Sequence, residues 1–308
     1  MQRLTMLEYK NYRHLKSSSI LMAIAILAYI VHHPSLGPRG NTWLGYTLGT
    51  VGAILVLTLL WYGVIRRRIP ALSERRESLS TSQLNQLKIE DRRQDRQALL
   101  KRQGSTLQGW LSAHIYFGIA LLVIVTLHAG FHFAWNIHTL AYALLIGVII
   151  TGLYGIYAYL RFPRLMTDNL GQNSVNALIA DIANLDTLAK TNALRLPDEV
   201  VEIIQHSNIK TQITGNLLET LRGQPRYCAT RDAIEKLQKL NHELDHIQDR
   251  VLRDICSLLL RKESQLKKVR MEMMYKARLQ FWLYLHVPLA IGLLAALIAH
   301  IISVFFFW

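Results

Sequence analysis

Two pairs of histidines with the same spacing lie in long apolar stretches of this 308-residue chain. His114 and His128 are fourteen residues apart, and so are His286 and His300. In an α-helix, fourteen residues rise about 21 Å and return to within about 40° of the starting face. Each pair would therefore present two imidazoles on one side of a helix, far apart along its axis. Imidazole is a common metal ligand and a usual axial ligand of haem iron.

Five stretches are apolar enough to cross a bilayer as helices, which takes about 20 residues each. The first ends at Pro34 and has a basic N-terminal flank, but no small-x-small cleavage site precedes it, so we expect an uncleaved span rather than a signal peptide. The histidine pairs fall in the third and fifth spans. The predicted spans are Ser19–His33, Trp43–Ile65, Trp110–Trp135, Leu140–Leu160 and Leu279–Trp308.

The basic residues are distributed unevenly between these spans. All but one of the 35 Lys and Arg residues lie in Met1–Ser19, Arg66–Gly109 and Arg161–Arg278, and the exception is Arg39. The positive-inside rule then predicts that the N-terminus and the large charged segment are cytosolic and that the C-terminus is outside. The net charge of +14 is mainly this topological signal. It also suits membrane lipid or an acidic partner protein, whereas no nucleic-acid-binding module is present.

The predicted fold class is all-α, a five-span transmembrane helix bundle with a helical cytosolic domain between spans four and five. The expected segments are 1–65 with spans one and two, 66–109 as a basic helical linker, 110–160 with spans three and four, 161–278 as a helical or coiled-coil domain, and 279–308 as span five. Within the linker, the charged run Gln83–Gln103 predicts a surface helix.

The cytosolic segment is expected to contain three helices. Its breaks are predicted at Leu196–Asp198 and at Arg222–Pro225, where proline and glycine interrupt the pattern. From Asp232 onward, leucines, isoleucine and valine recur at spacings of three and four. With no proline or glycine before Pro288, this stripe predicts a single helix that runs from the coiled-coil-like region into span five.

Spans three and five run in the same direction in this topology, so their histidines pair by depth. His114 then meets His286 on the cytosolic side, and His128 meets His300 on the outer side. Two imidazoles at each depth predict two haem b sites with an axial histidine on either side of each iron. Because both axial positions are filled, such haems carry electrons rather than bind oxygen.

Residues beside the pairs have less specific assignments. Gly118 and Gly130 are candidates for haem packing, since a missing side chain would let a macrocycle approach the backbone, although helix packing explains glycine equally well. A single transmembrane histidine can also hydrogen-bond a neighbouring helix. His132 is expected to contact a propionate or the interface, and His138 to be solvated. Candidate propionate donors are Lys101, Arg102, Arg161, Arg164 and Arg278.

The two cysteines, Cys228 and Cys256, both fall in the segment expected to be cytosolic. Thiols stay reduced in that compartment, and neither cysteine belongs to a C-x-x-C motif. The sequence therefore predicts inert thiols rather than a disulfide or an iron–sulfur cluster.

The paired His-x13-His spacing resembles the dihaem cytochrome b superfamily, with Leu127–Phe131 around one ligand and Leu285–Leu289 around another. It is similar to cytochrome b/b6-like and ferric-reductase-like membrane domains, and most of all to bacterial cytochrome b/b6-like proteins with a helical cytosolic insert. The resemblance covers residues 110–165 and 265–308. It departs from the family in the long insert 161–278 and in the absence of a Pro-Glu-Trp-Tyr motif.

The expected function is transmembrane electron transfer through the two haems, in a subunit of a larger redox complex with partner proteins on one or both faces. A quinone site, a homo- or hetero-oligomer and an enzymatic activity of the chain itself are left open by the sequence. The alternatives are a quinone or metal reductase with the same haems, a non-redox membrane sensor or scaffold, and a transporter with histidine proton relays. The lack of Asp and Glu in 110–160 and 279–308 disfavours the transporter.

Overall fold

A computed structural model describes residues 8–32, 42–80, 89–131, 135–240 and 246–306, with side chains except at 66–80, 89–106 and 246. In these ranges the chain is all-α and contains no strand. The helices are α1 (Tyr9–Val31), α2 (Trp43–Ser80), α3 (Ile89–Ala129), α4 (Ile137–Leu170), α5 (Val175–Ala193), α6 (Asp198–Lys210), α7 (Leu217–Arg222), α8 (Ala229–Leu240) and α9 (His246–Phe306).

Five of these helices are long and apolar enough to cross a membrane, in α1, α2, α3, α4 and α9. The predicted all-α, five-span architecture is therefore confirmed. α1 begins at Tyr9, ten residues before the predicted span. Its backbone has positive φ at Lys10, Asn11 and Tyr12, so regular right-handed helix starts only after Tyr12.

Helices α2 and α3 continue well beyond their apolar parts, to Ser80 and back to Ile89. From residue 89 on, the surface helix predicted at Gln83–Gln103 is the beginning of α3 rather than a separate element, and 83–88 lie outside the described residues. Gly104 and Gly109 do not end this helix, because one glycine costs only about 1 kcal/mol in a helix.

The chain divides into two compact units, Met1–Tyr154 with Leu285–Trp308 and, separately, Gly155–Tyr284. We call them the histidine unit and the charged unit. The charged unit begins six residues before the predicted boundary at 161 and ends six after that at 278. The physical reason is that α4 and α9 pack together beyond the predicted boundaries, where Ala158 and Leu279 belong to one apolar cluster with Phe162 and Tyr275.

In the histidine unit, α3 makes close backbone contacts with both α1 and α2. One buried cluster joins these three helices through Ala25, Leu44, Leu48 and Ile124. A second joins α2, α3, α4 and α9 through Val56, Leu121, Leu145 and Leu293. These two apolar clusters hold α3 in the middle of the unit.

The charged unit is a helical bundle with its own core. Leu237 and Ile255 are among the fully buried side chains that join α5, α6, α8 and α9. Lys262 is also buried, and its Nζ lies 2.5 Å from Asp186 Oδ1 and 3.1 Å from Asn208 Oδ1. Pairing of this kind is required because a lone buried charge is strongly destabilising.

More breaks occur in this unit than the two that the sequence predicts. Helix breaks do occur at 194–197 and from Gly223, as proline and glycine indicate. Further breaks follow Leu170, where Gly171 has φ +58°, and Lys210.

The single helix predicted from Asp232 into span five is wrong over its first part. Arg231 and Glu263 form an ion pair at 2.6 Å, although one continuous helix would hold them about 48 Å apart. α8 and α9 therefore lie side by side, and only α9 continues to Phe306. The apolar stripe at Leu237 packs into the core of its own unit. Periodicity alone does not distinguish such a bundle helix from a long coiled coil.

Candidate functional site

The four paired histidines lie at two levels of the histidine unit. His114 and His286 interact electrostatically at one of them. The ring centres of His128 and His300 are 6.1 Å apart at the other, with the ring planes at 79°. We call these the 114/286 level and the 128/300 level. The structure thus brings together the two histidine pairs that were predicted from the common direction of spans three and five.

An apolar layer separates the two levels. Leu121 is seven residues from each histidine of α3, and Leu293 is seven from each histidine of α9. Both leucines are buried in one cluster with Val56 and Leu145. Because the two midpoints meet there, α3 and α9 are in register and the histidines of each level lie at matching depths, with the two levels about 21 Å apart along the helices.

Helix α2 offers a backbone carbonyl at each level. His128 Nδ1 lies 2.7 Å from the Gly45 carbonyl oxygen, and the His114 ring interacts with the Leu59 carbonyl. His114 Nδ1 makes no hydrogen bond of standard geometry with any described residue, so the His128 contact is the better defined. Gly45 and Leu59 are fourteen residues apart, the spacing of the histidines themselves. An Nδ1–H that donates to a carbonyl puts the lone pair on Nε2, as a metal-binding imidazole requires.

His286 has a hydroxyl rather than a carbonyl partner. Its Nδ1 is 2.9 Å from Thr151 Oγ1. The Thr151 hydroxyl donates to the Gly147 carbonyl at 2.9 Å, so its oxygen is left to accept the Nδ1 proton of His286. Gly152, the next residue, would place a Cβ only 3.6 Å from the His286 ring. α4 therefore orients His286 as α2 orients His128.

His300 differs from the other three histidines. Its Nδ1 is buried and has no hydrogen-bond partner in the part of the chain that the structure describes. The His138 ring, on α4, lies 4.3 Å from the His300 ring. His138 is exposed, as predicted, but it also contacts the 128/300 level, which the sequence does not indicate. His132 lies outside the described residues.

Gly49 allows His128 to approach α2. A Cβ on Gly49 would come within 2.8 Å of His128 Cε1, which is closer than real Cβ contacts. One turn further on, a Cβ on Gly52 would lie 3.3 Å from Val125. The sequence directs attention to glycines on the histidine-bearing spans and misses Gly45 and Gly49. The signal that could have found them is their small-xxx-small spacing on span two.

The two predicted haem-packing glycines differ from each other. Gly118 has open space beside it, with no described atom within 4 Å of an added Cβ, so a role in haem packing stays a prediction. Gly130 has φ +55°, and its N–H donates to the Leu127 carbonyl at 3.2 Å at the end of α3. Helix termination by itself accounts for glycine there.

The candidate propionate donors belong to the charged unit or have side chains outside the described residues. Arg161 and Arg164 are exposed in the charged unit. Arg278 donates to the Leu221 carbonyl at 3.0 Å. The side chains of Lys101 and Arg102 lie outside the described residues.

The Cys228 thiol lies beside a guanidinium group. Its Sγ lies 3.5 Å from Arg270 Nη1. Burial alone raises the pKa of Cys228, but hydrogen bonds from the Arg270 side chain and from the backbone of Arg231 and Thr230 outweigh it, and the pKa is lowered. Cys228 and Cys256 are both free thiols.

The two histidine levels are the strongest candidate site of the molecule. Among the described residues, no three His, Cys, Asp or Glu side chains form a metal-binding group, although His138 lies beside the His128 and His300 pair. Comparisons with protein-family models, curated proteins and solved structures found no match for this chain. The chemistry of the site is therefore argued from its geometry.

Replacing Gly49 with alanine tests the close approach of His128 to α2. The added methyl group would overlap the His128 ring and should lower the free energy of unfolding of the detergent-solubilised chain by about 1–3 kcal/mol. Gly63→Ala on the same helix is the matched control, because no described atom lies within 4 Å of its added Cβ. The control should leave stability unchanged or raise it by up to about 1 kcal/mol. Equal thermal unfolding curves for the two variants would contradict the predicted contact.

Proposed function

We propose that the chain transfers electrons across a membrane through two b-type haems, one at each histidine level, as a subunit of a larger redox complex. The observation that carries this proposal is the 128/300 level, where two imidazoles from different helices face each other in an apolar bundle. The second level repeats the arrangement fourteen residues away on both helices.

The spacing of the rings fits one metal ion between them. Two imidazoles that share a metal at metal–nitrogen bonds of about 2 Å have ring centres about 6 Å apart. The ring centres of His128 and His300 are 6.1 Å apart. The Nδ1 contact of His128 with Gly45 is the outer-shell hydrogen bond that holds a ligating histidine in the required tautomer.

The residues of the chain would hold and orient the haems and keep water away from them. His114 and His286 would hold one haem, and His128 and His300 would hold the other. A haem held by two imidazoles would supply iron for one-electron transfer. Thr151 and Gly45 fix ring orientation, and the layer around Leu121 keeps the space between the levels apolar.

The direction of the chain in the membrane is part of the proposal. The distribution of Lys and Arg favours a cytosolic N-terminus and charged unit and an outside C-terminus. The resemblance to bacterial cytochrome b/b6-like proteins favours a bacterial inner membrane. The 114/286 level would then exchange electrons with a cytosolic-side or quinol donor, and the 128/300 level with an acceptor on the other side. The proposal includes redox partner proteins and a homo- or hetero-oligomer. The resemblance to cytochrome b/b6-like proteins supports this part.

Single histidine substitutions test the pairing. A pyridine haemochrome assay on the purified chain should give two b haems per chain. His114→Ala and His286→Ala should each remove one and the same haem, because they share it, and His128→Ala and His300→Ala should each remove the other. His206→Ala, an exposed histidine of the charged unit, is the matched control and should retain both.

Two outcomes would overturn this proposal in different ways. Loss of one common haem in His114→Ala and His300→Ala would refute the pairing by level. A colourless preparation made with haem available would refute haem binding altogether and favour the non-redox sensor or scaffold.

Thr151→Val tests the orientation of His286 separately from ligation. Removing the hydroxyl removes the acceptor of the His286 Nδ1 proton, and losses of outer-shell partners weaken metal binding by about 10–100-fold. The variant should therefore lose part of the haem that His286→Ala removes. The reduction midpoint of the haem that remains at this level should shift. Thr126→Val is the matched control, since Thr126 contacts Tyr142 rather than a histidine. Potentiometric titration of both variants is the measurement, and equal effects of the two would remove Thr151 from the site.

A membrane quinol oxidoreductase using the same haems is the second candidate. It is favoured by a cavity of about 120 Å³ beside His114, between α2 and α3. Its walls are almost wholly apolar apart from the His114 ring and two hydroxyl side chains, which suits a quinone ring with two carbonyls. The lining residues are Leu55, Thr58, Leu59, Tyr62, Trp110, Ala113, His114 and Phe117.

Ala113→Leu tests the quinol candidate by filling the cavity. Haem reduction by a short-chain quinol should become several-fold slower, while reduction by dithionite gives an unchanged spectrum. Ala295→Leu, at an exposed position of α9, is the matched control and should reduce at the rate of the wild type. Equal quinol-dependent rates in all three proteins, measured by stopped-flow absorbance, would reject the cavity as a quinol site.

A further inference from the structure

Helix α7 has a defined shape but is not part of the protein core. None of its six residues, Leu217–Arg222, is buried, whereas α5, α6 and α8 each bury several. Asn216 and Glu219 form a capping box at its start, and Gly223, with φ +75°, ends it. So short a helix is not stable alone, and most helical stability comes from burying an apolar face. The apolar face of α7 therefore lacks a partner surface within the described chain.

The exposed side chains of this region combine apolar and basic groups. Leu217 and Leu218 are neighbours in sequence and are 63% and 66% exposed. Arg222 and Arg226 are exposed immediately after them. Tyr227 follows and is 56% exposed. Leucine, arginine and an amphipathic aromatic side chain together are typical of segments that lie in lipid headgroups.

Two contacts hold α7 next to α9 near the start of its apolar span. The Leu221 carbonyl accepts a hydrogen bond from Arg278 Nε at 3.0 Å. At the end of α7, Gly223 fits against Met274, whose Sδ would lie 2.8 Å from an added Cβ. Arg278 is the last charged residue before the apolar stretch Leu279–Trp308.

The position of α7 along α9 matches the depth of the headgroup layer. That layer is about 5–8 Å thick on each side of the hydrocarbon core. A helix of six residues is about 9 Å long, so both leucines lie within one helix length of the membrane boundary. The fully exposed faces of α5 and α6 have no comparable tie to the start of a span.

We propose that residues 217–227 form an interfacial anchor that lies in the headgroup layer of the membrane that α9 crosses. Leu217 and Leu218 insert between the lipids, and Arg222 and Arg226 bind the phosphates of anionic lipid. The anchor fixes the charged unit to the bilayer surface. It goes beyond the proposed electron transfer and needs no haem, so it can fail or succeed independently.

Site-directed spin labels test the anchor in the full chain, reconstituted in nanodiscs of mixed anionic and zwitterionic lipid. A nitroxide is attached at Leu217→Cys or, as the matched control, at Leu194→Cys, a leucine 68% exposed in the loop between α5 and α6. Both are made in a Cys228→Ser, Cys256→Ser background. The label at 217 should show several-fold lower collision with a water-soluble nickel chelate than the label at 194, and higher collision with oxygen.

A second set of variants tests the binding of the basic residues to anionic lipid. Arg222→Gln with Arg226→Gln should raise nickel accessibility at 217 in anionic nanodiscs, whereas Arg195→Gln, an exposed arginine of the control loop, should not. Equal nickel accessibility at 217 and 194 would overturn the proposal. Dipolar broadening between labels at 217 would overturn it too, because the covering surface would then be a second copy of this chain. Haem content, measured on the same samples, reports on the proposed function separately.

Discussion

The hydrogen bond between His128 and the Gly45 carbonyl is the contact on which the arrangement of the site depends. It requires α2 and α3 to lie close together, which Gly49 permits by having no side chain at the point where the imidazole crosses. It also fixes the antiparallel register of the two helices, since Gly45 opposite His128 places Leu59 opposite His114 fourteen residues later. One backbone contact thus positions a histidine at each level.

The same register extends through the rest of the histidine unit in steps of seven residues. On α4, His138 contacts the 128/300 level, Leu145 lies in the apolar layer, and Gly152 lies beside His286. A step of seven is almost two helical turns, so such residues remain on one face. Helices α3, α4 and α9 therefore each present a histidine or a glycine at the two levels and a leucine between them. Helix α2 differs, because it offers backbone carbonyls at the two levels and has Gly52 midway between Gly45 and Leu59.

How much the sequence predicts depends on whether the signal is local. Apolar length and charge segregation predict all five spans, and identical spacing on parallel helices predicts which histidines meet. The small-xxx-small spacing marks Gly45 and Gly49 as packing residues, but their contacts with His128 were not predictable from local signals. The partner of Gly45 lies 83 residues away, and that of Thr151 lies 135 residues away. The apolar stripe at Leu237 was assigned to one continuous helix for a related reason. Its period shows that one face is buried but not which helix buries it, and the sequence 241–245 between α8 and α9 has no proline or glycine to mark a break.

The distance between the rings at the 128/300 level also bears on simpler explanations for histidines in an apolar bundle. Ring nitrogens lie about 1.1 Å from the ring centre, so rings whose centres are 6.1 Å apart keep their nitrogens at least about 3.9 Å apart, beyond hydrogen-bond range. A direct bond between His128 and His300 therefore does not explain why they face each other. A hydrogen bond to a neighbouring helix accounts for Nδ1 of His128, but Nδ1 of His300 is buried without a partner among the described residues. A buried polar group without a partner costs about 1–3 kcal/mol, so helix packing alone leaves an uncompensated cost at His300.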